Sequence, residues 1–522
     1  MTGRDHGSRS HRVLVHGHGS RETRPSSCPA LTAVLGLLLA ILSGCSGTDP
    51  DVRPSNILLI VSEDNGPELG AYGDPYARTP VLDTLAQRGT LFKNAYVPQA
   101  GCSQSRAALL TGLYPHQNGQ IGLATWRYSM YRRDTPNIVS RLKDAGYRTG
   151  IIGKLHINPE DAFPFDFAEI PRANFQRKDL GAYAAHASQF FEQSPQPFFL
   201  SVNYPDAHRP FLRQVAGLPE HPLSEEDVES LSYLGIDSPI LRTASVDYLN
   251  SISRLDSLIG DLLEALEDSG EADRTLVVYL GDHGADLLRG KRTCYEGGLR
   301  IPLIVRWPGQ QQAGGIRDEL VSTIDLAPTL LAAAGAEAIP GLPGLSLAPL
   351  LRGEAPDWRE HLFAEFHVHS NHNYYPQRSV RDRRYKLVHN LLPGEENPGQ
   401  AFTVARFFGE GELAQALDKA DTSIRRAYAL MAKPPEFELY DLAQDPFEFR
   451  NLAGDPAHQA PLLDLQRVLL EWRERTSDPF LDESNVRRLK AEVDATFKNG
   501  EYQRPSGWNY RSYLAPEVYP WE

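Results

Sequence analysis

The chain has 522 residues, of which 41% are hydrophobic, so a sizeable core is expected in either two or more domains or one large α/β domain with an appendage. The formal net charge is −14, and no basic stripe with interleaved aromatic residues occurs. Both features argue against nucleic acid as a partner. An anionic substrate would need a locally basic pocket.

An export signal is expected at the start of the chain. Residues 1–44 combine basic residues with the apolar run Ala30–Leu42, which is too short to span a bilayer but suits a signal peptide. The run leads into Leu42-Ser43-Gly44-Cys45, which resembles the bacterial lipobox. We expect lipidation of Cys45 and an exported, membrane-anchored bacterial lipoprotein, periplasmic or at the cell surface. A plain secretory signal is the alternative, and residues 45–52 would form a polar tether.

The cysteines leave two alternatives. Cys28 departs with the signal and Cys45 carries lipid, so Cys102 and Cys294 remain in an oxidising compartment. They form one disulfide or, if Cys102 is used chemically, Cys294 is a buried free thiol.

Four apolar runs, each typical of a buried strand, end in polar residues. Between them lie helical stretches such as Thr79–Arg88, Ile138–Ala145 and Val246–Glu267. Alternating strands and helices predict a doubly wound sheet, whose functional site lies beyond the carboxyl ends of the strands. The residues that end the four runs are Glu63 and Asp64, Lys154 and His156, Asp206 and His208, and Asp282 and His283.

These strand ends predict a metal centre that handles an anion. Carboxylates and histidines together suggest a metal, and the oxygen-rich set favours Ca²⁺ or Mg²⁺ over zinc. Cys102 stands at the start of a helix-like run, where backbone N–H groups favour anions. Arg106, Lys154 and Lys291 add positive charge. A metal with fixed cations suits a tetrahedral anion, a sulfate or phosphate ester.

The motifs also resemble a known family. Cys102-Ser103-Gln104-Ser105-Arg106, followed by "AALLTGLYPHQNG", resembles the signature of the type I sulfatases of the alkaline phosphatase superfamily. "GIIGKLH", "GDHG" and "GKRTCYEGGLRIPLIVRWPG" match further blocks, and Glu438–Pro456 resembles the C-terminal block. "PFDFA", "YPDAHRP" and "YPQRSVRDRRYKLVHNL" are similar to the sulfamidase branch, the N-sulfoglucosamine sulfohydrolases. The likeness covers about residues 53 to 480.

The resemblance implies a role for each residue. A formylglycine-generating enzyme would oxidise Cys102 to formylglycine, whose hydrate is the nucleophile. Arg106 would stabilise that group, Lys154 and Lys291 would bind sulfate oxygens, His156 would assist the hydrate, and His208 would lie near the leaving group. One calcium ion would bind to Glu63, Asp64, Asp282, His283 and the modified Cys102. Substrate contacts are expected from Asp206, Arg292, His367 and His369, although the loop His367–His372 fits a polar surface loop equally well. A homodimer is also implied.

Three positions depart from the family pattern. Gln104 replaces the usual Pro or Ala, Glu63 stands where Asp is usual, and His283 stands where sulfamidases have Asn. Only Gln104 bears on maturation, because the maturing enzyme reads that position on an extended chain.

The expected fold class is α/β, with a large, doubly wound, mostly parallel, alkaline-phosphatase-like sheet and a smaller C-terminal antiparallel subdomain. The expected division is a signal peptide (1–44), a tether (45–52), a catalytic domain (53–372), a C-terminal subdomain (373–480) and a tail (481–522) whose aromatic residues pack on the body.

The expected function is hydrolysis of a sulfo group from a sulfated sugar in glycosaminoglycan degradation, with N-sulfoglucosamine at a non-reducing end as the substrate. One alternative is an O-sulfatase or a phosphate or phosphonate ester hydrolase on the same fold. The other is a non-catalytic glycan-binding lipoprotein, because Gln104 could block maturation.

Overall fold

The structure is a computed structural model that describes residues 55–194, 197–311, 313–409 and 411–522. The expected signal peptide, the tether and Cys45 lie outside the described residues. Within the described part of the chain, no helix has both the length and the apolar composition that a bilayer span requires.

A nine-stranded sheet forms the centre of the molecule. Its path runs β4-β3-β5-β1-β6-β8-β2-β7, with β9 paired to β2. The pairs that link β4, β3, β5, β1 and β6 are parallel, whereas β8 pairs antiparallel with β6 and β2. The strands are β1 Asn56–Ser62, β2 Thr90–Tyr96, β3 Arg148–Gly153, β4 Phe167–Glu169, β5 Phe198–Tyr204, β6 Thr275–Gly281, β7 Arg300–Ile301, β8 Leu303–Arg306 and β9 Gly315–Ser322.

The sheet is covered on both faces, as the continuous apolar runs predict. Every residue of β1, β5 and β6 is buried. Successive side chains of a strand point to opposite faces, and β1 accordingly supplies Leu58 and Ile60 to one core cluster and Ile57, Leu59 and Val61 to another. The doubly wound α/β fold is therefore confirmed.

Helices connect the strands. The predicted stretch Val246–Glu267 lies inside a longer helix, α6, which starts earlier because the Ser238 side chain accepts a hydrogen bond from the Leu241 N–H. The helices are α1 Pro80–Arg88, α2 Cys102–Thr111, α3 Pro115–Asn118, α4 Ile138–Asp144, α5 Ala182–Gln193, α6 Pro239–Asp268, α7 Glu296–Leu299, α8 Leu326–Ala334, α9 Ala348–Leu351, α10 Pro398–Phe407, α11 Glu412–Asp418, α12 Thr422–Ala432, α13 Gln459–Arg475 and α14 Glu483–Asp494.

A four-stranded antiparallel sheet forms the smaller unit, as expected. Its strands, in spatial order, are β10 Leu362–Phe366, β11 Gln377–Arg381, β12 Tyr385–Asn390 and β13 Phe437–Asp441. Strand β10 precedes the boundary expected at residue 373 and pairs along its length with β11, so this sheet draws on both expected segments. Helix α13 lies against β11 and β12, and its Trp472 indole stacks on Phe363 of β10.

The C-terminal tail carries a short hairpin and an aromatic contact with the body. Strands β14 Phe497–Lys498 and β15 Glu501–Tyr502 form the hairpin. Beyond it, buried Tyr510 donates its hydroxyl to the carbonyl oxygens of Gly119 and Ser129. The Trp508 ring stacks on Tyr128 with centroids 4.4 Å apart. The expected packing of the tail aromatics on the body is confirmed.

Candidate active site

The four strands whose polar ends were singled out are neighbours in the sheet. Their order is β3-β5-β1-β6, and all three pairings are parallel. Their carboxyl ends therefore meet at one edge, which gathers the side chains that follow each strand. Helix α2 begins at the same edge with Cys102.

Cys102 lies at the centre of this edge. It is the first residue of α2, follows the extended N-cap residue Gly101, and is 2% exposed. Its Sγ is 3.1 Å from Lys291 Nζ, 3.4 Å from His283 Nε2 and 3.9 Å from Asp64 Oδ1. Burial raises the pKa of the thiol, but Lys291, Lys154 and His283 lower it by more, so the pKa falls well below its usual range.

Three buried carboxylates surround Cys102, and each is paired with a cation. Lys154 Nζ lies 2.5 Å from Glu63 Oε2, Lys291 Nζ lies 2.8 Å from Asp64 Oδ1, and Arg106 Nε lies 3.1 Å from Asp282 Oδ2. The Asp64 N–H also donates to Asp282 Oδ1 over 2.8 Å, which ties the ends of β1 and β6 together. The predicted cations and the predicted metal ligands thus form one cluster.

The donor atoms of this cluster fit a hard divalent cation. Glu63, Asp64, Cys102 and His208 each offer an atom within 4.8 Å of the others, and Cys102, Asp282 and His283 do the same. Carboxylates are the most frequent donors of the set, three against two histidine rings and one thiol, and oxygen donors suit calcium better than zinc. Burial raises the pKa of Asp64 to about 6 although Lys291 and His283 oppose the shift, so this carboxylate would gain from a further cation.

Several buried polar atoms near Cys102 lack a hydrogen-bond partner among the described residues. They are Arg106 Nη2, both ring nitrogens of His156 and Nε2 of His369. Burial lowers the pKa of His156 to about 4 and that of His369 to about 3, and neighbouring Cys102 opposes both shifts. Unsatisfied polar atoms are rare in folded interiors, so their concentration here indicates a ligand-binding place.

His208 lies on the more open side of the cluster. It is half-buried, and its ring stacks on Phe175 with centroids 3.9 Å apart. Burial and the charge of Lys291 lower its pKa to about 4.

Two residues that the sequence placed in substrate binding are engaged elsewhere. Both carboxylate oxygens of Asp206, which is fully buried, are held by Arg177 and Arg254 at 2.7 to 2.9 Å. The His367 ring lies between Gln99 Oε1, at 3.0 Å, and Arg378 Nη2, at 3.2 Å. These contacts leave neither side chain free for a substrate, so both assignments are corrected to structural ones.

The remaining predicted residues lie at the edge of the cluster. His369, two residues after His367, keeps an unpartnered ring nitrogen there. Arg292 follows Lys291 with a left-handed backbone (φ 73°) and donates to Asp286 and Thr403. Cys102 and Cys294 are both free and buried, so the alternative without a disulfide is correct.

Three contributors were missed by sequence reasoning. Asn203, inside β5, accepts a hydrogen bond from Arg106 Nη1 over 2.7 Å and fixes the guanidinium. Gln104 donates from Nε2 to the carbonyl oxygens of Val368 (2.5 Å) and Ile121 (3.2 Å), and Gln99 spans the same two carbonyls. The two glutamines therefore attach the segment that carries His369 to the start of α2. Only the departure at Gln104 signalled this in the sequence.

Comparison with known proteins decides the family. A family model described as Sulfatase matches residues 55–336, more than half of the chain. The chain belongs to the sulfatase family. It is accordingly a hydrolase of the class that acts on sulfate esters and sulfamates. A second model, described as N-sulphoglucosamine sulphohydrolase, C-terminal, matches residues 281–396.

Individual relatives agree with this assignment. Human N-sulphoglucosamine sulphohydrolase is 33% identical over 498 residues, which cover 87% of this chain and 94% of the relative. The solved structure of a 2-O GAG sulfatase matches with a TM-score of 0.63 and 23% identity over 82% of this chain and 94% of its own. A structure in complex with its substrate D-glucosamine-2-N,6-O-disulfate matches with a TM-score of 0.60 and 22% identity over 82% and 99%. The resemblance found in the motifs is confirmed, and the two structures share the fold.

Proposed function

We propose that this sulfatase removes the sulfo group from a sulfated saccharide, with N-sulfoglucosamine at a non-reducing end as its preferred substrate. The observation that carries the proposal is the position of Cys102, at a helix N-terminus and 3.1 Å from Lys291 Nζ within the strand-end cluster of buried charges. The preference for an N-linked sulfo group is supported by the match of residues 281–396 and by the human relative.

The chemistry requires more than the thiol. As a formylglycine hydrate, residue 102 would supply one hydroxyl oxygen to attack sulfur and a second hydroxyl to expel sulfate afterwards. A thiol lacks that second hydroxyl, so a sulfated cysteine could not release its sulfate in this way. Oxidation of Cys102 by a formylglycine-generating enzyme is therefore part of the proposal.

The side chains around residue 102 divide the remaining work. Lys154 and Lys291 bind the sulfo oxygens, and Arg106, fixed by Asn203 and Asp282, holds residue 102 in place. His156, whose ring nitrogens are unpartnered, takes a proton from the hydroxyl of residue 102. The negative charge of a bound sulfo group would favour the protonated form of His208, which lies on the open side and would then give a proton to the leaving nitrogen as the sulfur–nitrogen bond breaks.

A calcium ion would complete the site. Glu63, Asp64, Asp282 and His283 would hold it, and when bound it would offset the negative charge of the sulfo oxygens. With the carboxylates engaged in this way, the ammonium groups of Lys154 and Lys291 become available to the substrate. Elemental analysis should find one calcium per chain, and Asp64→Asn should lower both metal content and melting temperature. Fully active protein without a divalent metal would refute this part.

A substrate panel tests the reaction. We expect a higher kcat/KM for N-sulfoglucosamine than for glucosamine 6-sulfate, a matched phosphate monoester or a phosphonate monoester. Faster turnover of the O-sulfated sugar or of either phosphorus ester would favour the alternative enzyme class. Glycan affinity without turnover, in protein whose Cys102 is unmodified, would favour the non-catalytic alternative.

The state of Cys102 has its own test. Mass spectrometry of the tryptic peptide Asn94–Arg106, from protein made in its native host, should show the aldehyde or its hydrate. An unmodified thiol in catalytically active protein would rule out the formylglycine mechanism.

We also propose that Cys45 anchors the protein in a membrane, on the evidence of the Leu42-Ser43-Gly44-Cys45 sequence. Cys45→Ser should move the protein from the membrane fraction to the soluble fraction. Unchanged fractionation would rule out the lipid anchor.

A further inference from the structure

Two arginines bind one aspartate next to the strand-end cluster, and a third packs on the helix that carries one of them. Arg292 donates from Nη2 to Asp286, and Arg406 Nη1 lies 3.3 Å from the other carboxylate oxygen of Asp286. Arg209 supplies a third guanidinium group, which packs on the ring of Phe407 in α10, the helix that also carries Arg406. We call Arg209, Arg292 and Arg406 the arginine cluster.

The arginine cluster adjoins the reacting centre. Arg292 directly follows Lys291, whose Nζ is 3.1 Å from Cys102 Sγ. Arg209 directly follows His208, which we place near the leaving group. Arg406 comes from α10, which lies in the helical segment between β12 and β13. A saccharide bound at Cys102 would thus have the cluster within reach of its other substituents.

The positive charge of the cluster is not balanced. Three guanidinium groups face one carboxylate, and two of the three keep unused donors. Arg292 is 4% exposed and its Nε has no hydrogen-bond partner, and the buried Nη1 of Arg209 also has none among the described residues. A buried donor without an acceptor is unfavourable, so an acceptor from a ligand would stabilise these groups.

Aromatic rings hold the guanidinium groups in position. The Cζ of Arg209 lies 4.1 Å from the Phe407 ring centroid. The Phe402 ring lies between the other two, 5.7 Å from the Cζ of Arg292 and 5.4 Å from that of Arg406. The fixed planar donors match the geometry of a carboxylate or a sulfo group, which can accept two parallel hydrogen bonds.

A second group of arginines and an aspartate in the same protein serves only to stabilise the fold and offers a comparison. Asp206 binds Arg177 and Arg254, and all three side chains are almost fully buried. Neither of those guanidinium groups is left with an unpartnered buried nitrogen. The arginine cluster sets three guanidinium groups rather than two against a single carboxylate, and it keeps unpartnered donors.

We propose that the arginine cluster binds a second anionic substituent of the saccharide, a carboxylate or a second sulfo group, while residue 102 acts on the first. This inference rests on the proposed function, since it takes the substrate to be a sulfated saccharide. It narrows the substrate class to saccharides that carry at least two acidic groups.

The kinetic test compares three substrates in wild type and in Arg209→Gln and Arg406→Gln. The substrates are N-sulfoglucosamine, its 6-O-sulfated form, and N-sulfoglucosamine linked to a uronic acid. Wild type should favour one dianionic substrate over the monoanionic one by about tenfold in kcat/KM, because the arginine cluster would add a charge-assisted hydrogen bond to the second anion. Both variants should lose that preference, mainly through KM. Because the readout is a ratio, a general loss of activity cancels.

The variants and the control are chosen so that each protein should still fold. The Arg209 side chain makes no hydrogen bond or ion pair with the described residues, so Arg209→Gln breaks no pair. Arg425→Gln removes an exposed arginine of α12 whose hydrogen bonds, among the described residues, go to Asp418, Ala420 and Thr422, and it should leave the ratio unchanged. The dianionic substrate that wild type prefers identifies the second anion as either the 6-O-sulfate or the uronate. An unchanged ratio in both arginine variants would overturn the proposal.

A binding arm keeps this inference separate from the proposed function. Glucosamine 6-sulfate and glucuronic acid, which carry no N-linked sulfo group, are titrated calorimetrically into wild type and the same variants. At least one should bind wild type and bind Arg209→Gln about tenfold more weakly. If no saccharide is hydrolysed but this difference persists, the proposed function fails and the anion site stands. Equal affinity in wild type and Arg209→Gln, or no binding to either, overturns the anion site.

Discussion

Two regions of the molecule bury charged side chains, and they do so in different ways. One is the strand-end cluster around Cys102. The other, which we call the inter-sheet cluster, lies where α3, α13 and the antiparallel sheet meet. Its members are His116, Glu365, Arg378, Arg473 and Asp478, all of them buried.

The inter-sheet cluster completes its pairing within the protein. Arg378 donates to both oxygens of Asp478 at 2.7 and 2.8 Å, and Arg473 adds a third bond at 2.7 Å. The His116 ring is 2.6 Å from Glu365. The strand-end cluster instead leaves nitrogens of Arg106, His156 and His369 without a partner in the described part of the chain. Complete pairing serves stability, whereas incomplete pairing in an equally buried place reserves donors for a ligand.

The largest expected effect is on the strand-end cluster. Cys102→Ala should reduce turnover by at least about 10³-fold, since it removes the group that becomes the nucleophile. Its melting temperature should stay close to that of wild type, because the surrounding ion pairs remain. Turnover and melting are measured on the same preparation. Activity within tenfold of wild type would contradict the proposed chemistry.

The inter-sheet cluster should show the opposite response. Arg378→Ala leaves Asp478 and Glu365 buried with fewer partners and should lower the free energy of unfolding by about 3–5 kcal/mol. Arg467→Ala is the control, because this α13 residue pairs with exposed Asp464 and Glu471 and should cost less than about 1 kcal/mol. Denaturant unfolding measures both, and equal costs would erase the distinction between buried and exposed pairs.

The pH dependence of stability sharpens the comparison. Burial raises the pKa of Glu365, but His116 and Arg378 lower it by more, so it falls from 4.5 to about 2. A depressed carboxyl pKa stabilises the fold above about pH 4.5, and this contribution is lost as the pH falls towards 2. Glu365→Gln should flatten the decline of unfolding free energy in that window by roughly 3 kcal/mol. Parallel curves for the two proteins would contradict this.

The smallest expected effect concerns Gln104, which links the cluster to the His369 segment. Gln104→Ala removes the bonds to Val368 and Ile121 but also a buried, unpartnered Oε1, so the net cost should be about 1–2 kcal/mol. Looser placement of His369 should lower kcat/KM a few-fold. Mass spectrometry should show no less formylglycine than in wild type. A variant that is unchanged in stability and kinetics would show that Gln104 positions nothing.

The sequence by itself determined which segments form the central sheet and at which edge of the sheet the site lies. The apolar runs of β1, β5 and β6 and the polar residues that follow them are local patterns, and parallel strands bring such ends to one edge. The helix start at Cys102 is equally local. Glu63, Asp64, Asp282 and His283 could therefore be grouped from the sequence.

Only the tertiary structure decided which of the gathered residues remain available to a ligand. Asp64 and Asp206 both follow strands of the sheet, but Asp206 is bound by arginines 29 and 48 residues away in the chain. Both ring nitrogens of His367 contact protein groups, Gln99 and Arg378, whereas Nε2 of His369 has no partner among the described residues. The sequence likewise did not predict that the helical segment between β12 and β13 brings Arg406 beside Arg292. The strand pattern depends on neighbours along the chain, but the pairing of a buried charge depends on partners that only the folded chain brings within a few ångströms.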